Sequence, residues 1–346
     1  MNFPQLFAKL RGSGKLLPVR VILLTGLLAG SASTNILAQS YAGVTGKPDT
    51  GYTIYSAYTG TLKDHPEIKI IPELKKNTIK ETRNITYCNS GSRYLQLDVF
   101  QPAHKGSNAR TAVVFIHGGG WRTGSRSQHY PLAQHLADLG YVCFTPEYRL
   151  STEALFPAGI YDIKSAIRWV RKHAAEYNLD STRIVAAGFS AGGEMAAFMG
   201  TTGNMPLFEG TQCNTDQQSR VDAVIDIDGT LSFVHPDGRE GDDSKRISAA
   251  THWFGYPKKD NYFLWQVASP LSYVSSKTPP TIFINSAVPW MHAGREDYIK
   301  VLQEHNIYSE VHGFDKAPHS FPLFDPWFQP TISYIHSFLQ KVFDKK

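Results

Sequence analysis

The sequence predicts an α/β fold in which a doubly wound, mostly parallel sheet carries an antiparallel N-terminal edge. Short apolar runs alternate along the chain with amphipathic stretches, and several of these runs, such as residues 112–116, are continuous. Continuous apolar runs indicate strands that are covered on both faces. Only a short turn, residues 89–93, separates the first two runs, which predicts a hairpin. The later runs are separated by helical stretches, which predicts parallel strands joined by crossovers.

The periodicity of apolar residues predicts the following elements. The strands are Asn84–Cys88, Tyr94–Phe100, Thr111–His117, Tyr141–Thr145, Arg183–Ala187, Val221–Asp228, Thr281–Asn285 and Ser309–Phe314. The helices are Tyr161–Tyr177, Ala191–Gly200, Arg295–His305 and Pro330–Phe343. The first of these helices has the clearest pattern, because its apolar residues recur every three or four positions and its basic residues lie elsewhere.

One large domain with two additions accounts for the whole chain. Residues 1–38 have the pattern of a signal peptide, and residues 39–82 are polar and predict an irregular segment that lies on the main domain. Residues 83–346 form the α/β domain. Within it, residues 229–275 predict an insertion that is rich in aromatic side chains and is placed to cap a site. A chain of 346 residues with 42% hydrophobic and 19% charged residues has the composition of an ordinary folded protein.

The N-terminus has the three parts of a secretory signal. Four basic residues come first, then the apolar run of residues 21–30, then small residues up to Ala38. The apolar run is too short to span a bilayer. We therefore expect cleavage between Ala38 and Gln39, a secreted or periplasmic product, and no stable membrane insertion once the signal has been cleaved.

Removal of this segment also removes the excess of positive charge. The full chain carries 35 basic and 30 acidic residues, for a net charge of +5. Four of the basic residues and none of the acidic ones lie in residues 1–38, so 31 basic residues remain against 30 acidic ones. This balance gives no electrostatic basis for binding nucleic acid or an anionic membrane.

The three cysteines are Cys88, Cys143 and Cys213, and none has the spacing of a metal ligand. We therefore expect no metal site. Cys143 falls in an apolar strand and is predicted to be a buried thiol. A disulfide between Cys88 and Cys213 is compatible with an oxidising compartment, although the sequence cannot decide whether they pair.

Residues 188–192 read Gly-Phe-Ser-Ala-Gly and lie between a predicted strand and a predicted helix. A sharp turn in that context crowds the backbone, which explains a glycine on either side of Ser190. The serine hydroxyl is then exposed at a helix N-terminus, where developing negative charge is favoured. The pattern predicts that Ser190 is a nucleophile.

A second motif, His117-Gly-Gly-Gly-Trp121, directly follows the strand of residues 111–117. Acyl transfer needs preorganised N–H donors for an oxyanion, and glycines let the backbone approach the substrate closely. We expect the donors to be the backbone N–H groups of Gly119, Gly120 and Ala191.

His319 is the predicted general base. It is one of 13 histidines, but it alone lies in a loop after the last predicted strand and before the C-terminal helix. A base that pairs with a serine nucleophile needs a loop of this kind beside the serine.

Together these motifs resemble those of the α/β-hydrolase serine esterases, particularly the hormone-sensitive-lipase-like and carbohydrate esterases. Residues 156–169 and 268–274 are similar as well, so the resemblance covers about residues 84–343. Residues 314–327 resemble secreted bacterial esterases that act on plant cell-wall polysaccharides. The resemblance implies the α/β-hydrolase fold, no cofactor, and hydrolysis of acetyl, methyl or aryl esters on such polysaccharides or their oligosaccharides.

The triad acid departs from the family pattern. The acid usually follows the seventh strand, but residues 286–294, which follow Thr281–Asn285, contain no carboxylate. Asp228 lies at the carboxyl end of the preceding strand, where some α/β hydrolases place their acid and where ligand-facing residues occur. The alternatives are Glu296 and Asp297, whose position early in a helix is also explained by the helix dipole. We expect Asp228.

Three residues are candidates for contact with a substrate. Arg295 could hold a carboxylate, such as that of a uronic acid, or it could pair with a neighbouring acid. His292 lies in the same stretch, which replaces the usual acid loop. Trp121 could line the pocket or belong to the core.

Other functions remain open at this stage. A formamidase or a small-molecule carboxylesterase would use similar motifs. A glycan-binding protein on a hydrolase scaffold is the non-enzymatic alternative, because the usual acid is missing.

Overall fold

The structure is a computed structural model that describes residues 41–91 and 93–344. The signal-peptide prediction for residues 1–38 lies outside the described residues. Of the helices in the described part, none has both the length and the apolar character needed to cross a bilayer.

Ten strands are described. They are β1 (Lys69–Ile70), β2 (Ile79–Ser90), β3 (Arg93–Pro102), β4 (Arg110–Ile116), β5 (Val142–Pro146), β6 (Leu179–Phe189), β7 (Ala223–Ile227), β8 (Thr281–Asn285), β9 (Ser309–Gly313) and β10 (Phe324–Asp325). Each of the eight predicted strands overlaps one of them. The observed β2 and β6 are several residues longer than predicted.

The α-helices of the described residues, in chain order, are α1 (Ile54–Thr61), α2 (Tyr130–Asp138), α3 (Ala158–Lys172), α4 (Ala191–Thr201), α5 (Pro206–Glu209), α6 (Ala249–Phe254), α7 (Tyr262–Val267), α8 (Arg295–Glu304) and α9 (Phe328–Phe343). Helices α3, α4, α8 and α9 correspond to the predicted ones. Single 3₁₀ turns occur at Arg126–His129, Pro270–Tyr273, Pro289–His292 and Phe321–Leu323.

The main sheet has eight strands in the order β2-β3-β5-β4-β6-β7-β8-β9. The β2–β3 and β3–β5 pairs are antiparallel, and all pairs from β5 to β9 are parallel. This arrangement confirms the predicted fold class, including the antiparallel N-terminal edge. The strand ends that carry the nucleophile and the acid are neighbours, because β6 pairs with β7 and β7 pairs with β8.

The sheet is buried on both faces, as the continuous apolar runs predict. In β4, Val113 and Phe115 pack in the core that contains residues of α2 and α9, whereas Ala112 and Val114 pack in the core that contains residues of α3 and α4. All four side chains are fully buried. The rigid sheet therefore holds its carboxyl edge in place from both sides.

The segment before the sheet is more regular than predicted. Residues 39–82 were expected to be irregular, yet they contain α1, β1 and the start of β2. Helix α1 begins at a capping box in which Thr53 and Ser56 bond each other's backbone N–H groups. Strand β1 pairs with β10, so the segment packs beside the loop that carries His319.

The insertion of residues 229–275 contains α6 and α7 and packs over the glycine-rich loop. Its aromatic side chains Phe233, Trp253 and Trp265 are fully buried and form a cluster. A Cβ placed on Gly120 would lie 2.8 Å from the Cβ of Ala249, so the two segments are in close contact. The aromatic residues of the insertion thus attach it to the site.

Cys88 and Cys213 form a disulfide that links the end of β2 to the loop after α5. Cys143 is a buried free thiol in β5. Burial in this apolar strand raises the pKa of the Cys143 thiol well above its usual range.

Candidate active site

Ser190 lies in a sharp turn between β6 and α4. Its backbone has φ 57° and ψ −121°, and its N–H donates to the carbonyl of Ile227 at 2.8 Å. A Cβ on Gly192 would lie 2.0 Å from the carbonyl oxygen of Ile116, and one on Gly188 would lie 2.0 Å from that of Gly192. Only glycine fits these two positions, as the crowding argument predicts.

Strained backbone is concentrated at this site. In the described part of the chain, eight residues other than glycine have positive φ, and five of them are asparagines, which tolerate that region. The other three are Trp121, Ser190 and Asp228, with φ of 56°, 57° and 55°. Strain of this kind persists where the surrounding structure imposes it, and it clusters at functional sites.

The structure brings His319 together with both predicted partners. Its Nε2 lies 2.8 Å from Ser190 Oγ, and its Nδ1 lies 2.6 Å from Asp228 Oδ2. The loop is fixed by a hydrogen bond of 2.8 Å between Ser320 Oγ and Thr61 Oγ1 at the end of α1. The N-terminal segment therefore supports the position of the imidazole.

Asp228 is fully buried and its carboxylate accepts three hydrogen bonds. Besides His319 Nδ1, the donors are the N–H of Ser286 at 2.9 Å and the hydroxyl of Ser286 at 2.6 Å. A buried carboxylate is tolerated only with such partners. The next residue, Ala287, donates its N–H to the carbonyl of Ala317, which ties this segment to the histidine loop.

Ser286 is a residue that the sequence analysis missed. It is the first residue of the segment that follows β8, and it is in this segment that the resemblance described above leads one to expect the triad acid. Here the acid lies at the end of β7, and the residue in the usual place donates to it twice. The absence of a carboxylate after β8 could have pointed to a supporting role for Ser286.

The alternative acids lie elsewhere. Glu296 is exposed and accepts from Arg295 Nε at 2.9 Å. Asp297 is also exposed, and its Oδ2 lies 3.4 Å from His235 Nε2. His319 bonds Asp228 rather than either of them.

The loop that carries two of the predicted oxyanion donors passes beside Ser190, since a Cβ on Gly118 would lie 3.1 Å from the Cβ of Ser190. Within residues 41–91 and 93–344, no group accepts a hydrogen bond from the N–H of Gly119, Gly120 or Ala191. The loop is held from behind, because the N–H of Gly118 donates to Gln128 Oε1 at 2.7 Å. These three amides are therefore available to an oxyanion.

His117 has a structural role, although it directly precedes the glycines of the oxyanion loop. It is buried, its ring stacks on Tyr148 with 4.5 Å between centroids, and its carbonyl accepts from the Tyr148 hydroxyl at 3.0 Å. Burial lowers the pKa of His117 to about 4, so the imidazole is neutral at pH 7.

Trp121 belongs to the core. This finding corrects its assignment as a substrate-binding residue. It is 3% exposed, its ring stacks parallel to that of Trp253 at 4.8 Å, and its Nε1–H donates to Glu194 Oε2 at 2.9 Å. The aromatic residues of the insertion cover it, and the sequence did not show that contact.

Two buried carboxyl groups lie beneath the site, Glu194 in the first turn of α4 and Asp226 in β7. Burial raises the pKa of both well above the usual range, and the repulsion between them raises that of Glu194 further. Each has one oxygen without a hydrogen-bond partner in the described residues, Glu194 Oε1 and Asp226 Oδ2. The protonated form of Glu194 is favoured, since an unpaired buried charge is costly.

A cavity of about 580 Å³ lies between the segments that follow β7 and β8. His292 and Arg295 both line it. Arg295 is already held, because Nη1 donates to Asn285 Oδ1 at 2.7 Å and Nη2 to Glu296 Oε1 at 2.5 Å. Of the two expectations for Arg295, the structure shows the pairing with a neighbouring acid and no free guanidinium for a uronate.

Glu240, in the insertion, is half-buried, and burial raises the pKa of its carboxyl group. Among the described residues, no cluster of three or more His, Cys, Asp or Glu side chains is arranged to hold a metal ion.

Residues 97–289 match the family model described as BD-FAE. The probable carboxylic ester hydrolase LipM of Mycobacterium tuberculosis is 30% identical over 68% of this chain and 52% of its own length. Esterase LipC of the same organism is 28% identical over 71% of this chain and 62% of its own length. The chain thus spans about half to three fifths of these relatives.

Two solved structures are similar along most of the chain. A truncated carbohydrate esterase from gut microbiota superposes with a TM-score of 0.66 at 22% identity, covering 78% of this chain and 100% of that one. At this identity the likeness shows the fold alone. A butyrate-bound esterase from Thermogutta terrifontis superposes with a TM-score of 0.62 at 26% identity, covering 77% of this chain and 95% of the other.

Proposed function

The chain belongs to the BD-FAE family, and from that premise we propose that it is a serine carboxylic ester hydrolase. The observation that carries the proposal is the unbroken chain of hydrogen bonds from Ser190 Oγ through His319 to Asp228. The names of LipM and LipC, both ester hydrolases, and the butyrate bound to the Thermogutta terrifontis esterase support it.

In the proposed reaction, Ser190 Oγ attacks the ester carbonyl while His319 Nε2 accepts the hydroxyl proton. Asp228 fixes the tautomer with the proton on Nδ1 and stabilises the imidazolium. The amides of Gly119, Gly120 and Ala191 stabilise the oxyanion. His319 then gives its proton to the departing alcohol oxygen, and water hydrolyses the acyl-enzyme by the same steps.

The complete triad favours an enzyme over a glycan-binding protein on a hydrolase scaffold. That alternative rested on the missing acid after β8. The Asp228 carboxylate fills the same role from β7, within the distance that a triad requires. A binding protein would have no need to hold a buried carboxylate against an imidazole.

We further propose that the substrate is an acetyl, methyl or aryl ester on a plant cell-wall polysaccharide or one of its oligosaccharides. The resemblance of residues 314–327 to esterases of that kind supports this substrate class. The cavity lined by His292 and Arg295, which is large enough for a sugar-sized group, supports it as well.

Export from the cytoplasm is part of the same proposal. The pattern of residues 1–38 and the Cys88–Cys213 disulfide support a secreted or periplasmic protein, because disulfides persist in oxidising compartments. N-terminal sequencing of the exported protein should give a start near Gln39. An exported protein that still begins at Met1 would contradict cleavage.

The direct test uses Ser190→Ala with Ser333→Ala as its control, since Ser333 is an exposed serine on α9. The wild-type protein and the control should hydrolyse 4-nitrophenyl acetate and become labelled by a fluorophosphonate. Ser190→Ala should lose the label and nearly all activity while keeping its thermal unfolding midpoint. Continued labelling of Ser190→Ala would refute the assignment, and a panel of acetylated and methylated polysaccharides would test the substrate class.

A further inference from the structure

The oxyanion donors come from two separate parts of the chain, so contacts between those parts must fix their relative position. Gly119 and Gly120 lie in the loop after β4, whereas Ala191 is the first residue of α4. Such donors stabilise an oxyanion only when they are held in place before the reaction, at about 2.7–3.1 Å from its oxygen. A side chain that fixes the loop against α4 therefore contributes to catalysis.

The loop is anchored at its first glycine by the turn that carries the nucleophile. A Cβ on Gly118 would lie 2.7 Å from the carbonyl oxygen of Phe189, the residue before Ser190. After this anchor, residues 119–121 all have positive φ, with values of 121°, 61° and 56°. The last of them is Trp121, for which such a backbone is strained. A loop in this conformation relaxes unless its other end is held as well.

Glu194 holds that other end. Trp121 follows Gly120 directly, and its Nε1–H donates to Glu194 Oε2 at 2.9 Å. Glu194 lies in the first turn of α4, where its own N–H donates to the carbonyl of Ser190 at 3.0 Å. The bond to Trp121 therefore joins the residue next to the loop donors to the helical turn that begins with Ala191.

This bond is also the contact that explains a carboxyl group at position 194. In the described part of the chain, the Glu194 side chain makes no other hydrogen bond, and its Oε1 is buried without a partner. Glu194 is the only ionisable residue of α4 and is fully buried. A buried carboxyl group with one oxygen unpaired is costly, so an apolar side chain would suit the stability of this helix better.

We propose that Glu194 is a positioning residue for the oxyanion hole, which acts through Trp121 to fix the amides of Gly119 and Gly120 against that of Ala191. The proposal rests on the esterase function proposed above. Because Glu194 is fully buried, its carboxyl group acts without touching the substrate. Bonds to an oxyanion form in the transition state, so a displaced loop should lower kcat and change KM little.

The test uses three variants and one control. Glu194→Met removes the acceptor, Glu194→Gln keeps an acceptor oxygen, and Trp121→Phe removes the donor. The control is Thr201→Val, which also replaces a buried polar side chain of α4; the Thr201 hydroxyl donates to carbonyls of the same helix. The measurements are kcat and KM for 4-nitrophenyl acetate and inhibition by a trifluoromethyl ketone, whose adduct with Ser190 carries an oxyanion. Thermal unfolding checks that each variant is folded.

Glu194→Met and Trp121→Phe should each lower kcat about 10- to 100-fold, less than the loss of a whole donor, with little change in KM. Both should weaken inhibition by the trifluoromethyl ketone by a similar factor. Glu194→Gln should keep most of the wild-type kcat, and Thr201→Val should keep all of it. The double variant of Glu194→Met and Trp121→Phe should be no worse than either single variant, because both remove the same hydrogen bond.

Three results would overturn the proposal. They are a wild-type kcat in either folded variant that lacks the bond, a loss that is carried by KM with unchanged inhibition by the ketone, and losses that multiply in the double variant. If Glu194→Met does not fold, Trp121→Phe and Glu194→Gln still decide, since only the first of them should lose kcat. A wild-type protein that hydrolyses no ester would instead refute the esterase function.

Discussion

Replacing Asp228 by asparagine tests the acid assignment most sharply, because the change is isosteric and the three donors to the carboxylate are known. Ser286 N–H donates to Oδ1, whereas the Ser286 hydroxyl and His319 Nδ1 donate to Oδ2. Asparagine offers one acceptor oxygen and one NH₂ group. With the NH₂ group in the place of Oδ1, it faces the N–H of Ser286, which can only donate; with the NH₂ group in the place of Oδ2, the imidazole must become an acceptor.

Both orientations of the amide harm catalysis. If the NH₂ group faces His319, the imidazole must accept at Nδ1 and carry its proton on Nε2, so it cannot take the proton of Ser190. If the NH₂ group faces the N–H of Ser286, that pair repels and the side chain is displaced from the imidazole. The first orientation gives the wrong tautomer, which costs about 10⁴-fold in kcat in comparable triads. That factor corresponds to about 5 kcal/mol of transition-state stabilisation.

The assay is kcat/KM for 4-nitrophenyl acetate, with fluorophosphonate labelling and thermal unfolding measured in parallel. Asp226→Asn is the matched control, because Asp226 lies two residues earlier in β7 and makes no contact with His319. The Asp228→Asn variant should lose about 10⁴-fold and the control far less. A loss below tenfold in Asp228→Asn, with a steep loss in a Glu296→Gln or Asp297→Asn variant, would refute the reasoning.

A second substitution, at Ser286, should restore part of the activity that Asp228→Asn loses. Ser286 Oγ lies 2.6 Å from Asp228 Oδ2, so a carboxylate at position 286 would begin close to the place that the acid now occupies. Adding Ser286→Asp to Asp228→Asn should therefore restore part of the lost rate, at least about tenfold, since one correctly oriented imidazole is enough to recover general-base catalysis. Ser286→Asp alone should lose activity, because two buried carboxylates would then repel each other.

Three further predictions concern the framework of the site. Burial raises the pKa of Glu194 above its ordinary value of 4.5, so its neutral form adds stability below about pH 4.5 that is lost as the pH rises toward the folded-state pKa. The unfolding midpoint of Glu194→Gln should therefore fall less than that of the wild type between pH 5 and 9, and parallel curves would contradict the pKa shift. Reduction of the Cys88–Cys213 disulfide, whose cysteines are 125 residues apart, should lower the stability by up to about 5 kcal/mol, seen as a lower unfolding midpoint in dithiothreitol; a Cys143→Ser variant should respond equally. Gly192→Ala would place a Cβ 2.0 Å from the Ile116 carbonyl oxygen and should abolish activity and destabilise the fold by at least about 1–3 kcal/mol, whereas Gly60→Ala, in an exposed part of α1, would find no atom within 4 Å of its new Cβ and should keep full activity.

The strands and the nucleophile could be predicted because their signals are local. An apolar run such as residues 112–116 identifies a covered strand, and Ser190 lies in a five-residue pattern with a strand before it and a helix after it. Helix α2 gave no comparable signal. It is nine residues long and contains Pro131 and Gln134, so its apolar stripe is interrupted.

The residues that were missed depend on contacts between distant parts of the chain. Ser286 and Asp228 are 58 positions apart, and Thr61 and Ser320 are 259 apart. For Trp121 the sequence left pocket and core equally open, and only the packing of the insertion decides for the core.

The position of the acid shows why its absence after β8 does not by itself indicate a lost activity. A triad needs a carboxylate oxygen within hydrogen-bond distance of Nδ1, and it does not matter which strand supplies the oxygen. Neighbouring strands lie about 4.8 Å apart, so the ends of β7 and β8 can both reach the same imidazole. An acid at the end of β7 does need a hydrogen-bond donor from the segment after β8, because a buried carboxylate without donors would be protonated or displaced. Ser286 meets that requirement with its N–H and its hydroxyl. In a chain of this fold that lacks the usual acid, an aspartate at the end of β7 followed by a hydrogen-bond donor after β8 is therefore the pattern that distinguishes a relocated triad from a lost one.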